Sequence, residues 1–268
     1  MPNTKALRVR IKSVKSTEQL TKAMGLVASS KIRRANEAMY RARQYTVALD
    51  KAIGTLTSSP DSQKSPYMQK RDTGRTKIIV IAGDRGLAGG YNANVFRLCK
   101  EYKGAELIPI GKRACDFVSL SANSSERYSF DDAFKLAQEL CDSFEKGEFD
   151  RLGIIYTAYH SVLTQEAKIK WVLPFERGEG NDNAGMIYEP DHLTVLNLVA
   201  CEYLAGTILS LVRESFACEV SARRMAMDSA GKNAKQMIND LSLEYNRARQ
   251  GAITQEITEI VAGAGEVN

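Results

Sequence analysis

Tryptophan, proline and histidine are scarce in this sequence, and each shortage limits what the chain can be. One tryptophan, six prolines and two histidines occur among 268 residues. Two histidines without paired cysteines are too few for a zinc site, so His160 and His192 are interpreted as loop residues. With few prolines and an apolar share of 44%, the chain is expected to fold throughout.

Cysteine is present but follows no functional pattern. The five cysteines are odd in number, and no two of them form the C-x-x-C pair found in metal and redox sites. We therefore expect reduced and mostly buried thiols. The five are Cys99, Cys115, Cys141, Cys201 and Cys218.

Catalytic motifs are also missing. The sequence has no G-x-S-x-G and no clustered acid pair for hydrolytic chemistry. A glycine-rich loop from Gly83 to Asn92 follows a predicted strand and opens a helix, a position where a phosphate can bind. Its spacing matches neither G-x-G-x-x-G nor the Walker pattern. We interpret it as a tight structural turn and predict no catalytic residue, no cofactor and no metal site.

Export and membrane signals are weak. The first seven residues lack the apolar core of a signal peptide. Leu193 to Val212 is apolar enough to suggest a membrane span, but Asn197 and Glu202 interrupt it, which favours a buried helix. The sequence therefore predicts synthesis and residence in a bacterial cytoplasm, with no transmembrane segment of its own.

What the sequence does contain is a heptad repeat at its N-terminal end. Apolar and small residues alternate at steps of four and three, with a weak middle near Glu18. Between Glu18 and Ala28 apolar residues occupy several faces, which predicts more than one packing partner there. The predicted seam is Leu7, Ile11, Val14, Glu18, Thr21, Gly25, Ala28, Ile32, Ala35, Met39, Ala42, Thr46, Leu49, Ile53 and Leu56.

A second long helix is predicted at the C-terminal end. Almost no turn signal occurs between Asp191 and Gly263, which indicates one helix of roughly 70 residues and about 105 Å. Its first part, to about Phe216, is apolar nearly all round and is expected to pack on a domain. The later part narrows to a stripe, so we predict an antiparallel coiled coil with the first helix. The stripe is Met227, Ala230, Ala234, Met237, Leu241, Tyr245, Ala248 and Ala252.

Between the two helices, strand-like and helix-like segments alternate. This order predicts a Rossmann-like α/β domain with a doubly wound, largely parallel sheet. The predicted domains are 1–58 for the N-terminal coiled-coil helix, 59–191 for the central α/β domain and 192–268 for the C-terminal helix. The predicted strands are 77–82, 106–110, 152–156 and an edge strand 167–172, and the predicted helices are 91–102, 112–120 and 131–145.

Basic charge is concentrated in the first 45 residues, where the acidic residues are Glu18 and Glu37 alone. Three interpretations fit: a solvated face, a nucleic-acid surface, or contact with an acidic protein. No aromatic residue precedes Tyr40, which argues against stacking on single-stranded nucleic acid. A basic coiled-coil nucleic-acid-binding protein and an α/β enzyme using the glycine-rich loop remain alternative functions.

Three segments, in order along the chain, resemble the γ subunit of F-type ATP synthases: Arg10–Lys31, Asp84–Asn92 and Tyr245–Val261. The resemblance implies a central-stalk rotor of a proton-translocating ATP synthase, which transmits torque between the membrane ring and the catalytic head. It implies a non-catalytic subunit, because nucleotide chemistry belongs to the head. The implied partners are the α and β subunits of the head, the ε subunit and the membrane c-ring, with no nucleic acid, at the periphery of a bacterial cell membrane.

The resemblance also implies contacts with the head. Lys22 and Met24 match positions that face an acidic lever region of the β subunit. Four polar residues match positions near the tip that hydrogen-bond with head loops, although an ordinary solvated helix face has the same composition. These four are Arg249, Gln250, Thr254 and Glu256.

Contacts at the other end of the stalk are implied for three residues. Tyr188 and Glu189 match positions that approach the ring, although a plain loop before a helix looks the same. Arg223 aligns with an arginine of the lower stalk, and its charge is equally compatible with solvation. The sequence departs from the family pattern nearby, at Val220, Ser221 and Arg224.

Overall fold

The computed structural model of the chain describes residues 4–71, 73–120, 123–178 and 188–265. These residues form five α-helices, four strands and two short 3₁₀ turns, Pro60–Lys64 and Pro66–Met68. The elements are α1 (Thr4–Ser58), β1 (Thr76–Ile81), α2 (Tyr91–Cys99), β2 (Glu106–Ile110), α3 (Lys112–Val118), α4 (Phe130–Glu145), β3 (Arg151–Tyr159), β4 (Gln165–Leu173) and α5 (His192–Gly265).

Backbone contacts divide the chain into two units. The terminal unit comprises Met1–Ala28 with Arg224–Asn268, and the central unit comprises Ser29–Arg223. Helices α1 and α5 each have residues in both units. The three-part division drawn from the sequence stays a prediction.

The central unit contains a four-stranded sheet in the order β2-β1-β3-β4. Strand β1 pairs in parallel with β2 and with β3, and β4 is an antiparallel edge strand on β3. The predicted strands, including the edge strand, are therefore present. Parallel pairing here follows from the helical connections, since a crossover returns the chain to the same end of the sheet.

Both faces of the sheet are covered by helices. Ile79 and Ile81 of β1 belong to a core cluster that includes residues of α1, α4 and α5, while Ile78 and Val80 pack with α2. All four side chains are fully buried, which is why the strand is a continuous apolar run without alternation. The Rossmann-like prediction is confirmed.

The first part of α5 is buried within the central unit. Leu196, Leu204, Ile208 and Val212 have no exposed surface and belong to the largest core cluster. By length and composition α5 is the one helix among the described residues that meets a membrane-span criterion, yet 61% of its most apolar window is buried in the protein. Burial supports the interpretation as a core helix.

The terminal unit is an antiparallel helix pair, as predicted. A Cβ atom on Gly25 would lie 3.6 Å from Met227 Cβ, and one on Gly231 would lie 3.5 Å from Thr21 Oγ1. Residue numbers rise along α1 as they fall along α5, so the two helices run in opposite directions. Small residues at these positions allow the close approach.

The α1 seam is confirmed, and the α5 stripe needs two corrections. Every predicted α1 seam residue is buried or half-buried. In α5, Met237 is 45% exposed and Ile238 is half-buried in its place. Ala252 is also exposed. After Ala234 the next residue facing α1 lies four positions on, because the seam alternates steps of four and three.

Candidate partner-binding surfaces

Helix α1 carries a second apolar stripe within the terminal unit. Val9, Leu20 and Val27 are 56–64% exposed. At about 100° per residue they share one face of the helix, roughly opposite the seam. A helix that is already paired has no need of this stripe for its own fold, so the stripe indicates a surface for another protein. The sequence-based prediction of several packing faces is thus seen in the exposure pattern.

The predicted contact residues of α1 lie beside these faces. The Lys22 side chain is exposed, whereas Met24 is half-buried next to the seam residue Gly25. Part of the Met24 side chain surface is therefore buried in the helix pair, and the rest is exposed for contact with a partner. The proposed contact with an acidic region stays a prediction.

The last turns of α5, which we call the tip, have no helix opposite them among the described residues. If the register of Gly25 with Met227 continues, Ala248 faces Thr4, the first residue described in α1. Residues 252–262 are exposed, as expected for a segment with no described helix opposite it. An apolar stripe nevertheless follows the tip, at spacings of four, three and one: Ile253, Ile257, Ile260 and Val261.

The predicted tip residues border this stripe. All four side chains are exposed. At about 100° per residue, Arg249 and Glu256 lie on one side of the isoleucines, and Gln250 and Thr254 lie on the other. The Thr254 hydroxyl donates to the Gln250 carbonyl at 3.0 Å, a bond within the helix. An apolar centre with a polar rim is the usual composition of a protein interface.

Of the two residues predicted to approach the membrane ring, Tyr188 has contacts within the chain. The Tyr188 ring meets the His192 ring edge to face at 4.9 Å and packs against the main core. Glu189 is exposed. Tyr188 therefore has a structural role before any partner is considered, and contact with a ring stays a prediction for both residues.

Arg223 is not solvated. Its side chain is 11% exposed, and it donates to the carbonyl oxygens of Arg85 and Gly86 at 3.3 Å. It also pairs with Glu219, whose side chain is 2% exposed. The solvated interpretation is wrong because the glycine-rich loop, distant in sequence, folds over this residue. A lower-stalk contact of Arg223 stays a prediction.

The Asp84 side chain ties the glycine-rich loop to two other segments of the chain, as expected for a structural turn. The Asp84 carboxylate accepts backbone N–H groups from Lys112, Ser125 and Glu126 and a hydroxyl from Ser124. Burial raises the pKa of Asp84, but these hydrogen bonds outweigh it and leave the pKa below its ordinary value. The carboxylate occupies donors that a bound anion would need. Among the described residues, no cluster of metal-ligating side chains occurs.

Replacing Asp84 tests this anchor. Asp84→Asn is expected to lower the free energy of unfolding by about 2 kcal/mol at neutral pH, because an amide cannot accept on both sides. The lowered pKa stabilises the fold above the unfolded value of about 3.9, and that stabilisation is lost as pH falls through the folded value. The difference between the two proteins in urea unfolding should therefore shrink in acid.

Asp116→Asn is the matched control for Asp84. Asp116 has the same charge but is 64% exposed, with one 3.6 Å ion pair to Arg113. Its replacement is expected to change stability by no more than about 0.5 kcal/mol. Equal effects of the two substitutions would contradict the anchoring role of Asp84.

Known proteins resemble this sequence along its whole length. The family described as ATP synthase matches residues 3–266. The ATP synthase gamma chain of Geotalea daltonii is 38% identical over 285 aligned residues, covering 100% of this chain and 99% of its own. The gamma chain of Chlorobium limicola is 37% identical, with 98% of each chain covered.

Solved structures share the fold. A chain of the Euglena gracilis mitochondrial ATP synthase, in an OSCP/F1/c-ring assembly, matches with a TM-score of 0.66 at 19% identity, covering 99% of this chain and 96% of its own. A chain of the Tetrahymena thermophila central stalk and c-ring matches at 0.62 and 21% identity, covering 79% and 99%. At these identities the likeness concerns the fold alone.

A chain with one long helix at each end and an α/β domain between them has the fold that these solved ATP synthase chains share. The full-length sequence matches specify the family. The chain belongs to the γ-subunit family of ATP synthases.

Proposed function

We propose that this γ subunit is the rotor of a proton-translocating F-type ATP synthase and transmits torque between a membrane ring and a catalytic head. The observation that carries the proposal is the exposed apolar surface on helices that already have a seam. Val9, Leu20 and Val27 on α1 and the isoleucine stripe on α5 lie outside that seam. A shaft inside a housing needs such an outer surface, whereas a simple coiled coil does not.

The rotor acts on the head through contacts that differ with its orientation. A shaft shifts a nucleotide site between conformations only by contacting those conformations differently. The tip meets this requirement because its stripe occupies one side of α5, rimmed by the charges of Arg249 and Glu256 on one edge only. Rotation would therefore present each catalytic site with an apolar face, a charged face and a neutral polar face in turn.

The proposed partners follow from the surfaces and from the relatives. The tip and the α1 residues Lys22 and Met24 are assigned to the α and β subunits, and the acidic lever region of β complements the charge of Lys22. Tyr188, Glu189 and Arg223 are assigned to the lower end, near the ε subunit and the c-ring. The chain is then a non-catalytic, peripheral subunit on the cytoplasmic side of a bacterial cell membrane.

Co-purification tests the proposal. Tagged protein, extracted from its native membrane with mild detergent, is expected to bring down the large nucleotide-binding subunits, with one γ chain for six of them. A γ chain recovered alone, or bound to nucleic acid in a salt-sensitive manner, would overturn the proposal.

A charge at Met24 tests the contact with the head. Met24→Lys is expected to lower proton pumping per ATP hydrolysed by about twofold or more, because a new cation would pair with the acidic region and favour some orientations of the rotor. Inverted membrane vesicles report both pumping and hydrolysis. Met24→Leu keeps the half-buried apolar contact and should behave as the wild type. Normal pumping by Met24→Lys would argue against this contact.

A further inference from the structure

A polar cluster in the central unit holds α1 and α5 to the same two loop segments. The segments are Asp84–Gly86, in the glycine-rich loop, and Ser124–Glu126, before α4. We call the side chains of Lys31, Arg85, Glu126 and Arg223 the collar. Lys31 is the third residue of the central unit in α1, and Arg223 is its last residue in α5. The collar is therefore located where both helices reach the limit of the unit.

On the α1 side, Glu126 is the central group. Its carboxylate forms an ion pair with the Lys31 ammonium, and the two side chains are only 32% and 35% exposed. The other carboxylate oxygen lies 3.8 Å from the Arg85 guanidinium. These contacts connect α1 to both loop segments through one carboxylate.

On the α5 side, Arg223 binds the Asp84–Gly86 segment. Its guanidinium donates to the carbonyl oxygens of Arg85 and Gly86. Arg213, ten residues earlier in α5, donates to the carbonyl oxygens of Glu126 and Tyr128 at 3.5 and 2.9 Å. Helix α5 is thus bound to both segments as well.

Asp84 joins the two segments to each other. Its carboxylate accepts the backbone N–H groups of Ser125 and Glu126 at 2.9 and 3.1 Å. A displacement of one segment is therefore passed to the other, and through them from one helix to the other. The collar is a closed loop of contacts and not two separate ion pairs.

We propose that the collar is the joint that passes torque between the central unit and the two shaft helices. The proposal rests on the rotor function proposed above and assigns that load to particular residues. Apolar contacts resist separation but have little directional preference, so helices can slide across them. Charge-assisted hydrogen bonds hold a fixed geometry. Lys31, Glu126 and Arg223 are accordingly positioning residues, with no contact to a reacting group.

Reversal of one charge in the Lys31–Glu126 pair tests the joint in the assembled complex. Lys31→Glu and Glu126→Lys should each lower proton pumping per ATP hydrolysed by about two- to fivefold, the equilibrium factor that a partly buried ion pair provides. The amount of complex recovered from the membrane should be unchanged. The double variant Lys31→Glu/Glu126→Lys restores an opposite-charge pair with α1 but places the new cation against Arg85, so it should recover only part of the pumping.

Arg33→Glu is the matched control. It makes the same charge change two residues along α1, in a pair with Glu37 that is 85% and 58% exposed and joins α1 only to itself. Its pumping should match the wild type. Wild-type pumping by both single variants at the collar, or loss without recovery in the double variant, would overturn the joint.

The outcomes separate this proposal from the rotor function. If the wild-type chain does not assemble with head subunits, the rotor function fails and the collar with it. If the wild type assembles and pumps and the collar variants do the same, only the joint fails. A merely structural role would lower the recovered amount of complex together with hydrolysis, leaving the ratio of pumping to hydrolysis constant.

Discussion

Arg223→Met is expected to lower the free energy of unfolding by about 3 kcal/mol, since it leaves a buried carboxylate without its cation. Glu219 is 2% exposed, and its second carboxylate oxygen has no hydrogen-bond partner in the described part of the chain. Arg223 therefore provides the ion pair of this group. The methionine keeps the apolar length of the side chain, so the loss reports the ion pair together with the hydrogen bonds to the carbonyl oxygens of Arg85 and Gly86.

A second variant, which also removes the Glu219 carboxylate, tests whether the loss of stability comes from an unpaired buried charge. In the double variant Glu219→Leu/Arg223→Met the buried charge is removed with its cation, and most of the lost stability should return. Urea unfolding of the full chain, followed by circular dichroism, measures both variants against the wild type. A single substitution that costs less than about 1 kcal/mol, within the range of exposed ion pairs, would contradict the buried pair.

Gly111→Ala is expected to cost about 4 kcal/mol, from backbone strain together with a clash against the neighbouring strand. Gly111 has φ +97°, a conformation that residues with a Cβ rarely adopt. A Cβ there would lie 2.1 Å from the Ala82 carbonyl oxygen, just beyond β1. That atom belongs to the backbone at the end of the central strand, so it has little freedom to move. The folded form should be strongly depleted.

Gly104→Ala separates the two contributions. Gly104 has nearly the same φ, +95°, but no atom lies within 4 Å of an added Cβ. Only the backbone strain applies, and the expected loss is about 1 kcal/mol. Comparison of the two alanine variants by urea unfolding gives the cost of the clash. Equal losses would show that Gly111 is required only for its φ angle.

The long-range organisation of this chain was predictable where it depends on local periodicity. The step of four and three residues from Leu7 to Leu56 predicts one continuous face on α1, and that face is buried or half-buried throughout. The β2 strand has the bounds predicted from its apolar run, 106–110. In such segments the burial of each residue follows from its neighbours within one or two turns.

Positions where two adjacent residues compete were harder to predict. Met237 and Ile238 are both apolar, and either fits a seam that alternates steps of three and four. The contact of Gly231 with Thr21 on the other helix sets the register and places Ile238 inward. The tip residues from Arg249 to Glu256 were correctly predicted to lie on α5. Their arrangement around an isoleucine stripe could be recognised only once the structure showed where the pairing of α5 with α1 ends.

The sequence by itself determined the two long helices, the α/β order between them and the family, because helical period, strand composition and motif spelling are local properties. Only the tertiary structure decided that Arg223 is held by the glycine-rich loop and that Lys31 pairs with Glu126. The residues of these contacts are 137 and 95 positions apart. A lone charged residue looks alike in sequence whether it is solvated or paired. The partner of such a residue depends on how the fold brings distant segments together, and the local sequence pattern does not predict it.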